Sequence, residues 1–153
     1  MFQYMIMSTN KKLNEPRDNR SRIRTSVGCY QLLIRLDRPK TITIGKLGTF
    51  FFPDGYYVYT GSAMSGLQAR LARHLSDTKR LFWHVDFLLE HCAIIRYAIR
   101  VSSRRRECEL ASATLAMEGA SVPIRGFGSS DCKCTAHLVH FETEPTQLPA
   151  ESD

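Results

Sequence analysis

The sequence lacks any uninterrupted apolar run of the roughly 20 residues that a membrane-spanning helix requires. The stretch FLLEHCAII is interrupted by Glu90 and His91. The apolar opening MFQYMIM is too short for the core of a signal peptide and has no basic residues before it. We therefore expect a soluble, cytoplasmic protein that has no membrane partner.

The sequence also lacks the even cysteine count of a disulfide framework, since it has five cysteines. The chain is also long enough to fold without disulfide bonds. This favours a reducing compartment and cysteines that mostly fill the core. Cys132, Cys134 and His137 lie within six residues, so structural Zn²⁺ there is a minor alternative. Zinc sites usually have wider spacings and a fourth ligand, and His140 on a strand would point to the opposite face.

Acidic residues are outnumbered by basic ones, and the imbalance divides the chain into three parts. Residues 1–26 hold six Lys/Arg against two acidic residues without a sustained period, which predicts a basic flexible arm. Residues 27–141 hold 15 Lys/Arg against 9 Asp/Glu and form the predicted domain. Residues 142–153 carry only acidic charge and two prolines, which predicts an acidic flexible tail. The net charge favours a polyanionic partner, although many basic proteins carry such charge for solubility alone.

The pattern of apolar residues predicts a mixture of strands and helices. Leu67, Leu71 and Leu75 recur every four residues and mark an amphipathic helix, and a second helix runs from Trp83 to His91. A third helix, RRRECELASATLAME, ends at Gly119. The predicted fold is α/β of the α+β type, with a small, mainly antiparallel mixed sheet flanked by about three helices. The predicted strands are GCYQLLIRL, TITI, GTFFF, GYYVYTG, AIIRYAIRV and AHLVHF.

Two of these helices present candidate site residues. On the first helix, Arg70 and His74 lie on one side of the leucine stripe, whereas Arg73 lies farther toward solvent. On the third helix, Glu107 shares the apolar side, and Glu109 lies about 200° away. A carboxylate that faces the core needs a cation or hydrogen-bond donors. A neighbouring arginine could pair with Glu107 in a salt bridge, but a divalent metal ion is the favoured partner.

These segments, taken in order, resemble the GIY-YIG nucleases from Gly28 to about Phe141. The first motif appears as GCY and the second as YTG, and YTGSAMSGLQARLARHL is similar to the arginine-bearing helix of the family. The segments GKLGTFFFPDGYYVYTGSA, WHVDFLLE, ECELA and GFGSSDCKC resemble the Uri subfamily in particular. The resemblance implies that Glu107 holds Mg²⁺ (or Mn²⁺), and it implies these catalytic residues: Tyr30, Tyr59, Arg70, His74 and Glu107.

The roles that the resemblance implies agree with the chemistry of phosphodiester hydrolysis. Arg70 offers a bidentate fork to phosphate oxygens. Tyr30, with its pKa lowered by a nearby arginine and metal-bound water, would accept a proton, while Tyr59 and His74 would orient water or phosphate. Some nuclease families place an Asn after the Glu-bearing helix; no matching Asn is found, and the loop 129–131 is the candidate for its polar role. We expect the following residues to contact nucleic acid: Arg73, Lys79, Arg80, Arg104, Arg105 and Arg106.

The leading hypothesis is a metal-dependent endonuclease that hydrolyses DNA by a one-metal mechanism, in the manner of a DNA-repair nuclease. Its substrate would be single-stranded or structured DNA, and a single site would cut one strand. A non-catalytic nucleic-acid-binding module of the same fold is the main alternative. A third hypothesis is an interaction domain stabilised by zinc at Cys132, Cys134 and His137.

Overall fold

The computed structural model describes residues 4–8 and 26–152 of the 153-residue chain. Within these residues the predicted strands and helices are present in the predicted order. The helices are α1 (Leu67–Leu75), α2 (His84–Leu89) and α3 (Glu107–Leu115), and a 3₁₀ turn spans Pro149–Glu151. The strands are β1 (Tyr4–Ser8), β2 (Gly28–Leu36), β3 (Lys40–Ile44), β4 (Gly48–Phe52), β5 (Gly55–Ala63), β6 (Ala93–Val101) and β7 (Leu138–Phe141).

Five of the strands form one sheet in the order β1-β6-β2-β5-β7, and β3 and β4 form a separate two-stranded sheet. Every pairing in the described residues is antiparallel. The predicted α+β fold with a mainly antiparallel sheet and three helices is confirmed. Among the described residues, no helix combines the length and the apolar character that a bilayer crossing needs.

The central strand β2 is buried on both faces, because alternate side chains enter two different apolar clusters. Tyr30 and Leu32 face one cluster, which also contains Leu67 and Leu71 of α1. Cys29 and Leu33 face the other, which contains Leu110 of α3. The sheet therefore separates α1 and α2 on one face from α3 on the other.

A buried polar network joins β2 to α3 on the second face. The Gln31 side-chain amide donates to the hydroxyl oxygens of Thr60 (2.9 Å) and Thr114 (2.8 Å). Its carbonyl oxygen accepts from the backbone amide of Ala150 at 2.8 Å. Because these buried polar atoms satisfy one another, the network specifies how the helix and the end of the chain sit on the sheet.

The predicted acidic tail is only partly solvated: residues 142–144, 146 and 147 are exposed, but the segment that follows them packs on the sheet. Leu148 and Ala150 are fully buried in the apolar cluster beneath α3, and Glu151 forms an ion pair with Arg96 of β6. The Glu151 carboxylate also accepts from the backbone amide of Leu148 at 3.1 Å. The prediction from composition was therefore wrong for residues 148–151, because their apolar side chains cover the sheet and the Glu151 carboxylate pairs with Arg96 of β6.

The predicted basic arm contains a strand that the sequence pattern did not indicate. Residues 4–8 form β1, which pairs with β6 from Tyr4 opposite Arg100 to Ser8 opposite Arg96. This part of the chain is therefore an edge strand and not an arm. The rest of the predicted arm up to residue 25 lies outside the described residues. The helix predicted over RRRECELASATLAME is also shorter, since α3 begins after the three arginines.

Candidate active site

A cavity of about 750 Å³ opens at one end of the large sheet. Strand β7 pairs with β5 only as far as Tyr59 opposite Leu138, while β5 continues to Ala63. The cavity lies beside this continuation of β5. Its lining residues are Tyr59, Thr60, Gly61, Ser62, Met64, Ser65, Arg70, Phe82, Trp83, His84, Arg105, Glu107, Gly128, Ser130, Asp131 and His137.

The strand register explains why two helices on opposite faces reach the same cavity. Gly28, the first residue of β2, pairs with Ala63 at the end of β5 and with Val101 at the end of β6. Strands β5 and β6 therefore end at the same edge of the sheet. Helix α1 starts shortly after β5, and α3 starts shortly after β6, so both N-termini lie at this edge. Helix N-termini carry partial positive charge, which favours an anionic ligand there.

Arg70 lies in the second turn of α1 and lines the cavity. Its Nη1 donates to the backbone carbonyl of Ser62 at 3.1 Å. Its guanidinium carbon lies 4.1 Å from the centre of the Trp83 ring, and that of Arg73 lies 4.2 Å from the same ring. Stacking on an aromatic ring restricts a guanidinium group. Trp83 therefore holds Arg70 in place at the cavity wall.

Glu107, the first residue of α3, lines the same cavity. The Cys29 thiol lies 3.9 Å from its Oε2 and accepts a 3.1 Å hydrogen bond from the backbone amide of Arg106. Cys29, the middle residue of the GCY motif, thus contacts the start of α3 on the face of the sheet that α3 covers. Glu109 lines a different cleft with Arg100. The two carboxylates therefore diverge as the helical pattern predicts.

The position of Tyr30 does not suit the role of proton acceptor that was expected for it. Its side chain is 1% exposed, and its hydroxyl group lies 2.6 Å from Nε2 of His74. Burial raises the pKa of Tyr30 well above its usual range, and the nearby Arg70 offsets only part of this effect. The expected lowering of the Tyr30 pKa is wrong for the protein without bound metal, because desolvation of the phenolate outweighs the attraction of the arginine.

Tyr59 is the motif tyrosine that reaches the cavity wall. Burial raises its pKa to about 12, although Arg70 again acts in the opposite direction. Its ring lies 6.3 Å from the Tyr30 ring. At neutral pH both phenols are therefore protonated. The Tyr59 hydroxyl group therefore keeps its proton, and it lies close enough to Tyr30 for the two to interact.

His74 lies behind Tyr30 and does not line the cavity with Arg70. Burial lowers its pKa to about 3, so the imidazole is neutral at physiological pH. Its Nδ1 is buried without a hydrogen-bond partner among the described residues. Arg70 and His74 were predicted to reach the same site; both lie near the Tyr30 hydroxyl group, but of the two only Arg70 also lines the cavity.

The glycines of both motifs are explained by close approaches. A Cβ atom on Gly61 would lie 2.4 Å from the hydroxyl oxygen of Tyr30, its partner across the strands. A Cβ atom on Gly28 would lie 2.1 Å from the backbone oxygen of Arg100. Neither distance is compatible with a side chain. Gly61 therefore allows the Tyr30 ring to approach β5, and Gly28 allows the backbone of β6 to approach β2.

The predicted nucleic-acid contacts fall into two groups. Arg105 lines the cavity, and Arg104 and Arg80 are exposed. Arg73 instead forms two 2.8 Å hydrogen bonds with the buried Asp86 carboxylate. Lys79 donates to the backbone oxygens of His74 (2.9 Å) and Ser76 (3.0 Å) at the end of α1. Arg106 is the residue directly before α3. Arg73 and Lys79 therefore support the fold rather than reach outward.

His84 and Asp86 diverge on α2, as predicted. His84 lines the cavity, and its Nδ1 accepts from the backbone amide of Gly128 at 2.9 Å. Asp86 accepts from the backbone amides of Phe82 (2.9 Å) and Trp83 (2.8 Å). Burial by itself would raise the pKa of Asp86, but these bonds and those from Arg73 lower it. Asp86 thus fixes the start of α2.

The loop between α3 and β7 contributes the remaining polar wall of the cavity. Ser130 and Asp131 line it, at the place where a polar role was predicted for residues 129–131. Gly126 and Gly128 adopt positive φ angles of 84° and 70°, which glycine accommodates without strain. The loop can therefore turn tightly back over Tyr59.

A second group of chemically reactive residues lies beside the cavity. The ligand atoms of Cys108, Cys132, Cys134 and His137 all lie within 4.8 Å of one another. Sequence reasoning missed Cys108, which no spacing rule connects to a segment more than 20 residues away. His140 is not part of the group, because its Nε2 lies 2.9 Å from the backbone oxygen of Asp54. Cys29 and Trp83 were also missed as residues that support the site.

Comparison with known proteins agrees with the motifs. The model of the family described as "Domain of unknown function DUF123" matches residues 29–152, which is most of the chain. No curated protein and no solved structure matches the sequence. The chain therefore belongs to the DUF123 family, a family of GIY-YIG-like domains.

Proposed function

We propose that this protein is a metal-dependent endonuclease of the GIY-YIG type, related to the Uri subfamily, that hydrolyses phosphodiester bonds in DNA. The observation that carries the proposal is the convergence of Tyr59, Arg70 and Glu107 in one cavity. They come from a strand and from two helices on opposite faces of the sheet. A donor to phosphate, a cation and a metal-binding carboxylate are the groups that this chemistry needs.

The donor groups at the cavity wall fit Mg²⁺ or Mn²⁺. Glu107 supplies one carboxylate, and Asp131 and Ser130 supply further oxygen atoms across the cavity. Mg²⁺ prefers few protein carboxylates and retains several waters. When bound by Glu107, the ion would balance charge on the scissile phosphate and make a bound water more acidic.

The protein's own residues would bind and orient the phosphate. Arg70 presents its guanidinium fork from a fixed position on Trp83, so little side-chain entropy is lost when phosphate binds. Tyr59 is protonated at neutral pH and donates a hydrogen bond to a phosphate oxygen or to water. Arg105 adds a further positive charge at the cavity wall. These groups act together on an anion.

DNA is the proposed substrate because Arg70 and Arg105 line the cavity and further exposed arginines adjoin its lining residues in the sequence. Arg104 and Arg105 precede α3 at its edge, and Arg80 is exposed. Contacts of this kind bind the phosphate backbone without choosing a sequence, and added salt weakens them steeply.

A non-catalytic nucleic-acid-binding module remains the second candidate, and one observation favours it. Tyr30, the residue expected to accept the proton, is buried behind the cavity with a raised pKa. A binding module would keep Arg70, Arg105 and the cavity but would not turn over its ligand.

The proposal is tested by cleavage of labelled single-stranded, duplex and flapped DNA, with matched RNA strands, in Mg²⁺ or Mn²⁺ and in EDTA. We expect metal-dependent cleavage that falls at least 100-fold in Arg70→Ala and in Glu107→Gln. Glu109→Gln is the matched control on the same helix, because its side chain lines a different cleft. It is expected to retain full activity.

The outcomes separate the two candidates. Cleavage lost in Arg70→Ala and Glu107→Gln but kept in Glu109→Gln supports the nuclease and its site. Salt-sensitive binding without cleavage in all four proteins supports the binding module. Cleavage that Glu107→Gln leaves intact contradicts the proposed metal ligand.

A further inference from the structure

We infer that Cys108, Cys132, Cys134 and His137 form a zinc site that ties the start of α3 to the loop lining the cavity. This site is separate from the one proposed for Mg²⁺, and it does not depend on nuclease activity. The sequence alone left it as a minor alternative because it offered no fourth ligand. The fold supplies that ligand from α3.

The separations of the ligand atoms fit a single tetrahedral ion. Nε2 of His137 lies 3.5 Å from Sγ of Cys132 and 3.7 Å from Sγ of Cys108. All four ligand atoms lie within 4.8 Å of one another. Zinc bonds of about 2.3 Å to sulfur and about 2.0 Å to nitrogen place tetrahedral ligands roughly 3.5–3.8 Å apart, which matches both distances from His137.

The backbone holds the histidine in position for this role. The amide of His137 donates to the carbonyl oxygen of Phe127 at 2.8 Å, and its own carbonyl accepts from the amide of Thr60 at 2.9 Å. Between Phe127 and His137 the chain turns, with Cys132 donating its amide to the carbonyl of Ser129. This closed loop brings Cys132 and Cys134 back toward the imidazole.

Access and ligand chemistry favour a soft ion at this site. A separate cleft, lined by Cys108, Lys133, Cys134 and Ala136, reaches two of the thiols from outside. An ion could enter by this cleft without passing through the main cavity. Three thiolates and an imidazole select zinc over Mg²⁺, which prefers oxygen ligands. A multinuclear iron–sulfur cluster would need wider ligand separations than this group provides.

The site would couple two parts of the cavity wall. Cys108 directly follows Glu107, and the loop that carries Cys132 and Cys134 also carries Ser130 and Asp131. A metal bond between helix and loop would therefore fix Glu107 relative to the polar residues opposite. Structural zinc sites contribute stability to the folded state directly.

The first measurement is the zinc content of the full chain, purified without chelators, by plasma mass spectrometry. We expect about one zinc ion per chain. After removal of the zinc under reducing conditions, titration with Co²⁺ should give the charge-transfer absorption of thiolate ligands and the visible bands of a tetrahedral site. Zinc should then displace the cobalt with a stoichiometry of one.

Variants assign the ligands. Cys108→Ser and Cys134→Ser should each lower zinc affinity at least tenfold in competition with a chromophoric chelator, and should weaken the thiolate absorption with Co²⁺. Cys92→Ala is the matched control, since Cys92 lies outside the group, and should retain zinc. Glu107→Gln should also retain zinc, so loss of cleavage and loss of zinc are separable.

Three results would overturn the inference. The first is a reduced protein that neither contains zinc nor binds added Zn²⁺ or Co²⁺. The second is zinc retained at full affinity in both Cys108→Ser and Cys134→Ser. The third is a disulfide bond within the group in freshly purified protein, shown by fewer than five free thiols after denaturation and located by mass spectrometry of the linked peptides.

Discussion

The Tyr30 hydroxyl group lies 2.6 Å from Nε2 of His74, on the side of the sheet that carries α1, and neither side chain lines the cavity. Both groups lose hydration on folding, and each is shifted toward its neutral form. The pair is therefore a buried neutral hydrogen bond that supports the wall of the site. Tyr59 and Arg70 form the part of that wall which meets the ligand.

The two motif tyrosines should respond differently to loss of the hydroxyl group. Tyr59→Phe removes a donor at the cavity, and we expect kcat for DNA cleavage to fall at least tenfold with little change in stability. Tyr30→Phe leaves His74 without its partner and should lower the free energy of unfolding by about 1–2 kcal/mol. Urea unfolding and single-turnover cleavage measure the two effects. Full activity in Tyr59→Phe with none in a stably folded Tyr30→Phe would reverse the assignment.

His74 should make stability depend on pH. Its pKa of about 3 in the folded protein lies below the ordinary value of about 6.5, so the unfolded chain binds more protons between these values. The His74 contribution therefore leaves the free energy of unfolding at its full value above about pH 6.5 and lowers it as pH decreases toward 3. The contribution of His74 is about 2 kcal/mol less at pH 5 than at pH 8.

The His74→Gln variant isolates this contribution, because glutamine can bond the Tyr30 hydroxyl but does not titrate. Burial also lowers the pKa of His84 and His137, so the wild type and the variant are compared by urea unfolding at both pH values. Equal losses of stability in the two proteins between pH 8 and pH 5 would contradict the prediction.

Gly61→Ala should damage the fold at the motif itself. The new methyl group would lie 2.4 Å from the end of the Tyr30 ring, which is buried and must shift to accommodate it. We expect a loss of about 1–3 kcal/mol in the free energy of unfolding. Ser62→Ala, on the adjacent residue, removes a buried hydroxyl that has no hydrogen-bond partner within residues 4–8 and 26–152, and should change stability by less than about 0.5 kcal/mol. Equal unfolding midpoints in the two variants would rule out the steric explanation.

Phe82 should contact an unpaired base. Its side chain is 75% exposed, lines the cavity and meets Trp83 edge to face. Stacking on a base contributes about 1–3 kcal/mol, so Phe82→Ala should weaken binding of single-stranded DNA about tenfold or more and duplex binding much less. Phe51→Ala removes a similarly exposed ring on β4 outside the cavity and should change neither affinity. Fluorescence anisotropy with both DNAs provides the comparison, and equal losses for the two DNAs would exclude stacking.

Most of the secondary structure was accessible from the sequence, because it depends on neighbours in the chain. The apolar, β-prone run of β2, the alternation in β6 and the four-residue spacing of Leu67 and Leu71 are local signals, and the structure has these elements where predicted. Helical geometry also separated Glu107 from Glu109 correctly. Strand β1 and the buried end of the chain were missed, since their partners, β6 and α3, are distant in sequence.

The motifs, the helical faces and the excess of basic residues are properties of the amino-acid sequence, and they were sufficient to predict the family likeness and four of the residues that line the cavity: Tyr59, Arg70, Arg105 and Glu107. The directions in which the pKa values of Tyr30 and His74 are shifted could not be predicted in this way. They depend on desolvation by side chains from several elements, which only folding brings together. The same reason applies to Cys108, whose partners lie in a loop that returns to α3 through the pairing of β7 with β5.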